Sequence, residues 1–121
     1  MPRILIVDDE SSIRSLLATA FERKGYEVRT APDGPEAVDL CGNESFDAVI
    51  SDVVMPHMNG HDLARWIAER NPHTRMVLMS GYDGGCQNCP YSPRCEFLQK
   101  PFRLGEVVSL VETALGQPLP N

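Results

Sequence analysis

Positive charge is scarce in this chain: 11 lysines and arginines against 17 aspartates and glutamates leave a formal net charge of −6 over 121 residues. Without a basic surplus nothing holds a nucleic-acid backbone by releasing its counterions, so direct binding to DNA or RNA is not expected. Long apolar runs are missing too. The first, Ile4-Leu5-Ile6-Val7, gives way at once to Asp8 and Asp9, too early for a signal-peptide core or a membrane span. That places the protein in the cytoplasm, with no membrane partner. No segment repeats and none is of low complexity. With 42% hydrophobic and 23% charged residues the composition is that of a soluble globular chain, long enough to bury one core and too short for two. Four cysteines in a cytoplasmic protein point to reduced thiols, metal ligands or redox groups rather than a disulfide framework.

What is present is an alternation of two periods. Residues 3–7, 46–51, 76–79 and 96–99 read as short strands, the second of them buried on both faces. Residues 26–31 alternate Tyr26, Val28 and Thr30 with charged neighbours, as a half-buried strand near an edge does. Between the strands the spacing turns helical. Ile13, Leu16, Leu17, Ala20 and Phe21 share one face of a helix from Ser11, with Gly25 at its C-terminal end. Asp33-Gly34-Pro35 opens a second helix, running to about Cys41. Asn59 caps a third, Gly60 to about Arg70, whose stripe is Leu63, Trp66 and Ile67 and whose stop is Asn71-Pro72. A last helix starts near Arg103, carries Leu104, Val107, Val108, Val111 and Leu115, and ends at Gly116. Strands alternating with helices in this way predict an α/β fold with a parallel sheet covered on both faces.

In a parallel sheet the C-terminal strand ends share one edge, where such sheets bind ligands. Four of those ends carry polar residues: Asp8 and Asp9, Asp52, Ser80, and Lys100. Three carboxylates brought together would each hold a proton unless a cation joined them. Oxygen ligands without histidine or cysteine suit Mg²⁺. A facing lysine and hydroxyl supply what a phosphoryl group needs. Singly, each residue has a plainer use: Asp52 and Ser80 as turn residues, Lys100 as a surface charge, Asp8-Asp9 as an acidic helix entry. Together they describe an aspartate that attacks phosphorus.

The stretches Ile-Leu-Ile-Val-Asp8-Asp9-Glu10, Asp52-Val-Val-Met55-Pro56-His-Met-Asn-Gly60, Met-Ser80-Gly81-Tyr82 and Lys100-Pro101-Phe102 span nearly the whole chain. They resemble those of the receiver domains of two-component response regulators, of the chemotaxis-regulator type. The resemblance implies a flavodoxin-like, doubly wound five-stranded sheet of order 2-1-3-4-5, with residues 1–116 as the receiver domain and 117–121 as a tail or linker. It implies that Asp52 accepts a phosphoryl group from the phosphohistidine of a histidine kinase or phosphotransfer domain. Asp9 and Asp52 would bind Mg²⁺ (or Mn²⁺) directly, Asp8 through water, and the Val54 carbonyl would complete the ligands. Ser80 and Lys100 would hold the phosphoryl oxygens. Phe97 stands where the family's switch aromatic stands, and as a residue it also reads as an ordinary core phenylalanine. Such a domain is a signalling phosphoacceptor, not an enzyme beyond its own phosphorylation and dephosphorylation. Hydrolases of the haloacid-dehalogenase type also use a strand-end aspartate with Mg²⁺, but there a second aspartate follows two residues later, where this chain has Val54.

The chain departs from the family between its serine and lysine strands. Receivers place a fourth helix there; Gly84-Gly85, Pro90 and Pro93 make a regular helix improbable and a loop the expectation. The face that this helix builds with the fifth strand and last helix serves the family for homodimers or output contacts, so the output partner stays open. The loop carries Cys86, Cys89 and Cys95, spaced as in zinc and iron–sulfur sites, with His57 as the nearest fourth ligand. Free thiols or one disulfide are the plainer alternatives. A cysteine loop of this kind also admits a different function, a receiver-fold module that senses metal or redox state. Cys41 reads as a small apolar side chain. The chain reads as a stand-alone receiver or a piece of a longer regulator.

Overall fold

The central strands of the chain offer two apolar faces and each helix one, which leaves a three-layer sandwich as the arrangement that buries them. The strands are β1 (Arg3–Val7), β2 (Glu27–Ala31), β3 (Ala48–Asp52), β4 (Arg75–Ser80) and β5 (Cys95–Gln99). The helices are α1 (Ser11–Arg23), α2 (Gly34–Asn43), α3 (Gly60–Arg70) and α4 (Leu104–Gly116). This computed structural model describes residues 2–80 and 95–116. All strand pairs are parallel and the order is β2-β1-β3-β4-β5, the flavodoxin-like order that the family resemblance implies.

The two-residue period of the strands sorts the core into two halves. Leu5, Val7, Val49, Met76 and Leu78 point to one face, where Ala37, Cys41, Leu63 and Ile67 of α2 and α3 cover them. Ile4, Ile6, Ala48, Ile50, Val77 and Met79 point to the other, under Leu17 and Phe21 of α1 and Val107, Val108 and Val111 of α4. Helix ends follow local chemistry. Asp33 and Asn59 cap α2 and α3 by accepting the N–H groups of Glu36 and Asp62. Beyond the last residue of α1, Gly25 takes φ 94°, and the N–H groups of Gly25 and Tyr26 donate to the carbonyls of Glu22 and Phe21. This paired closure needs a left-handed residue, which glycine supplies at no steric cost.

Several boundaries and faces differ from the sequence expectation. β3 begins at Ala48 rather than Phe46, α2 runs on to Asn43, and Gly116 lies inside α4. Leu16 is 50% exposed. The buried centre of α1 is Leu17 and Phe21, and at about 100° per residue Leu16 sits roughly 100° and 140° away from them. Thr30 is exposed, since β2 is an edge strand, and Trp66 is half-buried with the Arg70 guanidinium 4.4 Å over its ring. The loop expected in place of a fourth helix, with Cys86 and Cys89, lies at residues 81–94, outside the described residues, as does the tail 117–121.

At the sheet end away from the strand C-termini, Arg3 and Arg29 each pair with both Glu27 and Glu44, at 3.3–3.6 Å, closing a four-membered ring of alternating charge. It ties β1 and β2 to the end of α2.

Candidate functional site

Because the sheet is parallel, the C-terminal ends of β1, β3, β4 and β5 form one rim. Asp8 and Asp9 follow β1 directly, and the Asp8 N–H donates to the Ala31 carbonyl at 3.2 Å. Asp52 is the last residue of β3, opposite Met79 of β4. Ser80 is the last residue of β4, opposite Gln99 of β5, and the N–H of Lys100 donates to the Ser80 carbonyl at 2.7 Å. Strand pairing thus draws together residues that the sequence separates by up to 92 positions. The structure places all five expected residues on this rim. Carboxylate oxygens of Asp8, Asp9 and Asp52 lie within 4.8 Å of one another, the one cluster of its kind among the described residues.

The three acids are held unequally. Asp8 is fully buried. Its Oδ1 accepts the Glu10 N–H at 2.9 Å, while its Oδ2 accepts no hydrogen bond. Burial holds the Asp8 carboxyl above the usual carboxylate range; the Glu10 N–H and the Lys100 charge pull it back, and Asp52 and Asp9 push it up again. Asp52 is 7% exposed, and the Val54 N–H lies 3.4 Å from its Oδ1. Lys100 Nζ sits 3.1 Å from Asp52 Oδ2 and 3.8 Å from Asp8 Oδ2. One ammonium therefore reaches two of three clustered carboxylates, and a buried carboxylate oxygen has no donor. A hard cation would supply both the missing charge and the missing partner, so the donor set fits one.

The loop after β3 is pressed onto this rim. The Gly60 N–H donates to the Val53 carbonyl at 2.8 Å, and a Cβ on Gly60 would stand 2.6 Å from the Asp52 carbonyl oxygen and 2.9 Å from Val53 Cα. Only glycine permits so close a pass behind Asp52. His57 has φ 72°, and the Met58 N–H donates to the Pro56 carbonyl at 2.8 Å, the pattern of a γ-turn centred on the histidine. His57 is exposed. Its expected cysteine partners Cys86 and Cys89 lie outside the described residues, and of Cys95 only the backbone is described. Val54 is 58% exposed beside Asp52. Ser80 is buried at 2% exposure. Phe97 is half-buried in register with Leu78, against the core under α2 and α3. Two features escaped the sequence reading: the close approach of Gly60, and Arg14, whose Nη1 donates to the Asp8 carbonyl at 2.7 Å.

A family model described as "Response regulator receiver domain" matches residues 4–112. The chain belongs to the response regulator receiver domain family. The receiver is 35% identical over 118 residues to the response regulator receiver protein CpdR of Brucella abortus, covering 95% of this chain and 98% of that one. It is 38% identical to the DNA-binding transcriptional regulator NtrC of Azospirillum brasilense and 36% identical to the sensor kinase CckA of Brucella abortus. It covers 97% and 93% of its own length in these matches but spans only 25% and 12% of those proteins. Among solved structures it is similar to the response regulator TrrA of Thermotoga maritima in complex with Mg²⁺ and BeF (TM-score 0.82, 32% identity, 94% of this chain and 99% of that one). The receiver domain of the hybrid histidine kinase CckA superposes with a TM-score of 0.79 at 32% identity, over 93% of this chain and 98% of that one. The receiver therefore belongs to two-component signal transduction, where such domains are signalling phosphoacceptors rather than enzymes. Among the described residues no helix is long and apolar enough to cross a membrane.

Proposed function

We propose that this receiver takes a phosphoryl group onto Asp52 from the phosphohistidine of a histidine kinase or phosphotransfer domain. The observation that carries the reading is Lys100 Nζ, 3.1 Å from Asp52 Oδ2 at a rim where Asp8 and Asp9 add two further carboxylates. A carboxylate oxygen of Asp52 attacks phosphorus; the P–N bond breaks, its electron pair returns to the imidazole nitrogen, and an acyl phosphate forms on Asp52. Lys100 stays within reach of the new phosphoryl oxygens and offsets their charge, and the Ser80 hydroxyl donates to one of them. Asp9, Asp52 and the Val54 carbonyl would hold Mg²⁺, or Mn²⁺ in its place, with Asp8 acting through water. The cation supplies positive charge to the transferred group. The buried, donor-less oxygen of Asp8 supports its place in that set. As the Ser80 hydroxyl turns to the phosphoryl group, Phe97 fills the space behind it and signals the change on the β5 side. Residues 1–116 form the domain in this reading, with 117–121 as tail or linker.

Intact mass spectrometry before and after a small-molecule phosphodonor with Mg²⁺ tests the reading. One phosphoryl adduct is expected, absent in Asp52→Asn and strongly reduced in Lys100→Met. An adduct that persists in Asp52→Asn would refute the assignment.

A further inference from the structure

The acid-bearing turn after β1 lacks the usual device for fixing the entry to a helix. Glu10, the residue before α1, makes no side-chain cap, and the first turn of α1 holds no acid. The entry is held instead from one turn further on. Arg14 on α1 is half-buried, and its Nη1 donates to the Asp8 carbonyl at 2.7 Å. That carbonyl belongs to the peptide joining Asp8 to Asp9. The Asp8 side chain is anchored separately, through the Glu10 N–H, and the Asp8 N–H through Ala31. Asp9 is exposed and makes no side-chain hydrogen bond or ion pair among the described residues. With no such partner of its own, its direction depends on the peptide from which it leaves, and the Arg14 guanidinium bonds to the carbonyl of that peptide.

We propose that Arg14 is a positioning residue for the divalent cation: by gripping the Asp8 carbonyl it fixes the Asp8–Asp9 peptide and so aims the Asp9 carboxylate into the acid cluster. The inference rests on the cation-binding reading above. It has a sign opposite to plain electrostatics. A guanidinium near a cation site repels the cation, so if Arg14 acted only as a charge, neutralising it would tighten binding. If it positions Asp9, neutralising it weakens binding, as loss of an outer-shell partner does.

The test is a Mg²⁺ titration of the whole chain followed by amide NMR shifts, comparing wild type, Arg14→Met and Arg14→Lys. Arg14→Met should raise the Mg²⁺ dissociation constant roughly tenfold, and Arg14→Lys, which can still donate to a carbonyl, should recover most of the loss. The side-chain carboxylate carbon of Asp9 should shift in metal-free Arg14→Met, where an arginine that held only the helix entry would leave it unmoved. Should Arg14→Met fail to fold, Arg14→Gln, too short to reach the carbonyl, carries the same expectation. Binding unchanged or tightened in the neutral variant overturns the proposal while leaving the receiver reading intact. A wild-type protein that binds no Mg²⁺ overturns the cation-binding reading itself, and this inference with it.

Discussion

Removing the charge from Asp8 should make the metal-free protein more stable. The carboxylate is fully buried, one of its oxygens has no donor, and two further acids approach within 4.8 Å. At an effective dielectric of about 20, a carboxylate pair at that separation repels by roughly 3 kcal/mol. The exposed Asp9 contributes less than this because water screens it. Lys100, 3.8 Å from Asp8 Oδ2, returns about 4 kcal/mol of attraction. Charge against charge nearly balances, which leaves the cost of burying an unsatisfied oxygen, about 1–3 kcal/mol. Asparagine keeps the shape and can still accept the Glu10 N–H. Asp8→Asn should therefore gain about 2 kcal/mol near neutral pH, on the order of 5–10 °C in Tm for a domain of this size. The pH dependence has a definite sign. The Asp8 carboxyl is held above 3.8, so the folded wild type binds its proton more tightly than the unfolded chain. The Asp8 contribution to wild-type stability falls as pH rises from 3.8 through the raised folded value, and the variant's advantage opens over the same window. Added Mg²⁺ should reverse the order, because it stabilises the wild type by mass action and the variant less. Urea unfolding followed by circular dichroism, in chelator and then in Mg²⁺, measures all of this. A variant no more stable than wild type in chelator at neutral pH would refute the reasoning.

Gly60→Ala places a methyl 2.6 Å from a main-chain oxygen that cannot swing away, so about 2 kcal/mol or more of stability should be lost and phosphoryl transfer to Asp52 slowed; the same denaturation curves and a phosphodonor time course report both. The Cys41 thiol is pushed up to about 11 by burial between α2 and the sheet. Peptide mapping after brief alkylation near pH 8 should find Cys41 unmodified in the native protein and modified in urea; rapid native labelling would contradict that packing.

The fold was legible because its evidence is repeated. Each strand shows its burial in several residues, and once strands and helices alternate, parallel topology brings Asp8, Asp9, Asp52, Ser80 and Lys100 to one edge whatever the details. What was not legible depends on single contacts. Leu16 belongs to the apolar stripe of α1 by spacing, yet the stripe is centred on Leu17 and Phe21, and only the position of the helix over the sheet decides which flank is left outside. Arg14 acts on a main-chain carbonyl, which every residue has and no pattern marks. Gly60 sits in an Asn-Gly pair that reads as a turn signal, and its nearness to Asp52 is a matter of packing between elements.

The pairing of β4 with β5 sets Ser80 against Gln99, and one main-chain bond joins Ser80 to Lys100. Two of the five site residues are thus located by a seam of backbone. The registration of Ser80 with Lys100 is therefore a property of the sheet itself, fixed by the same ladder that aligns β4 with β5 along its length.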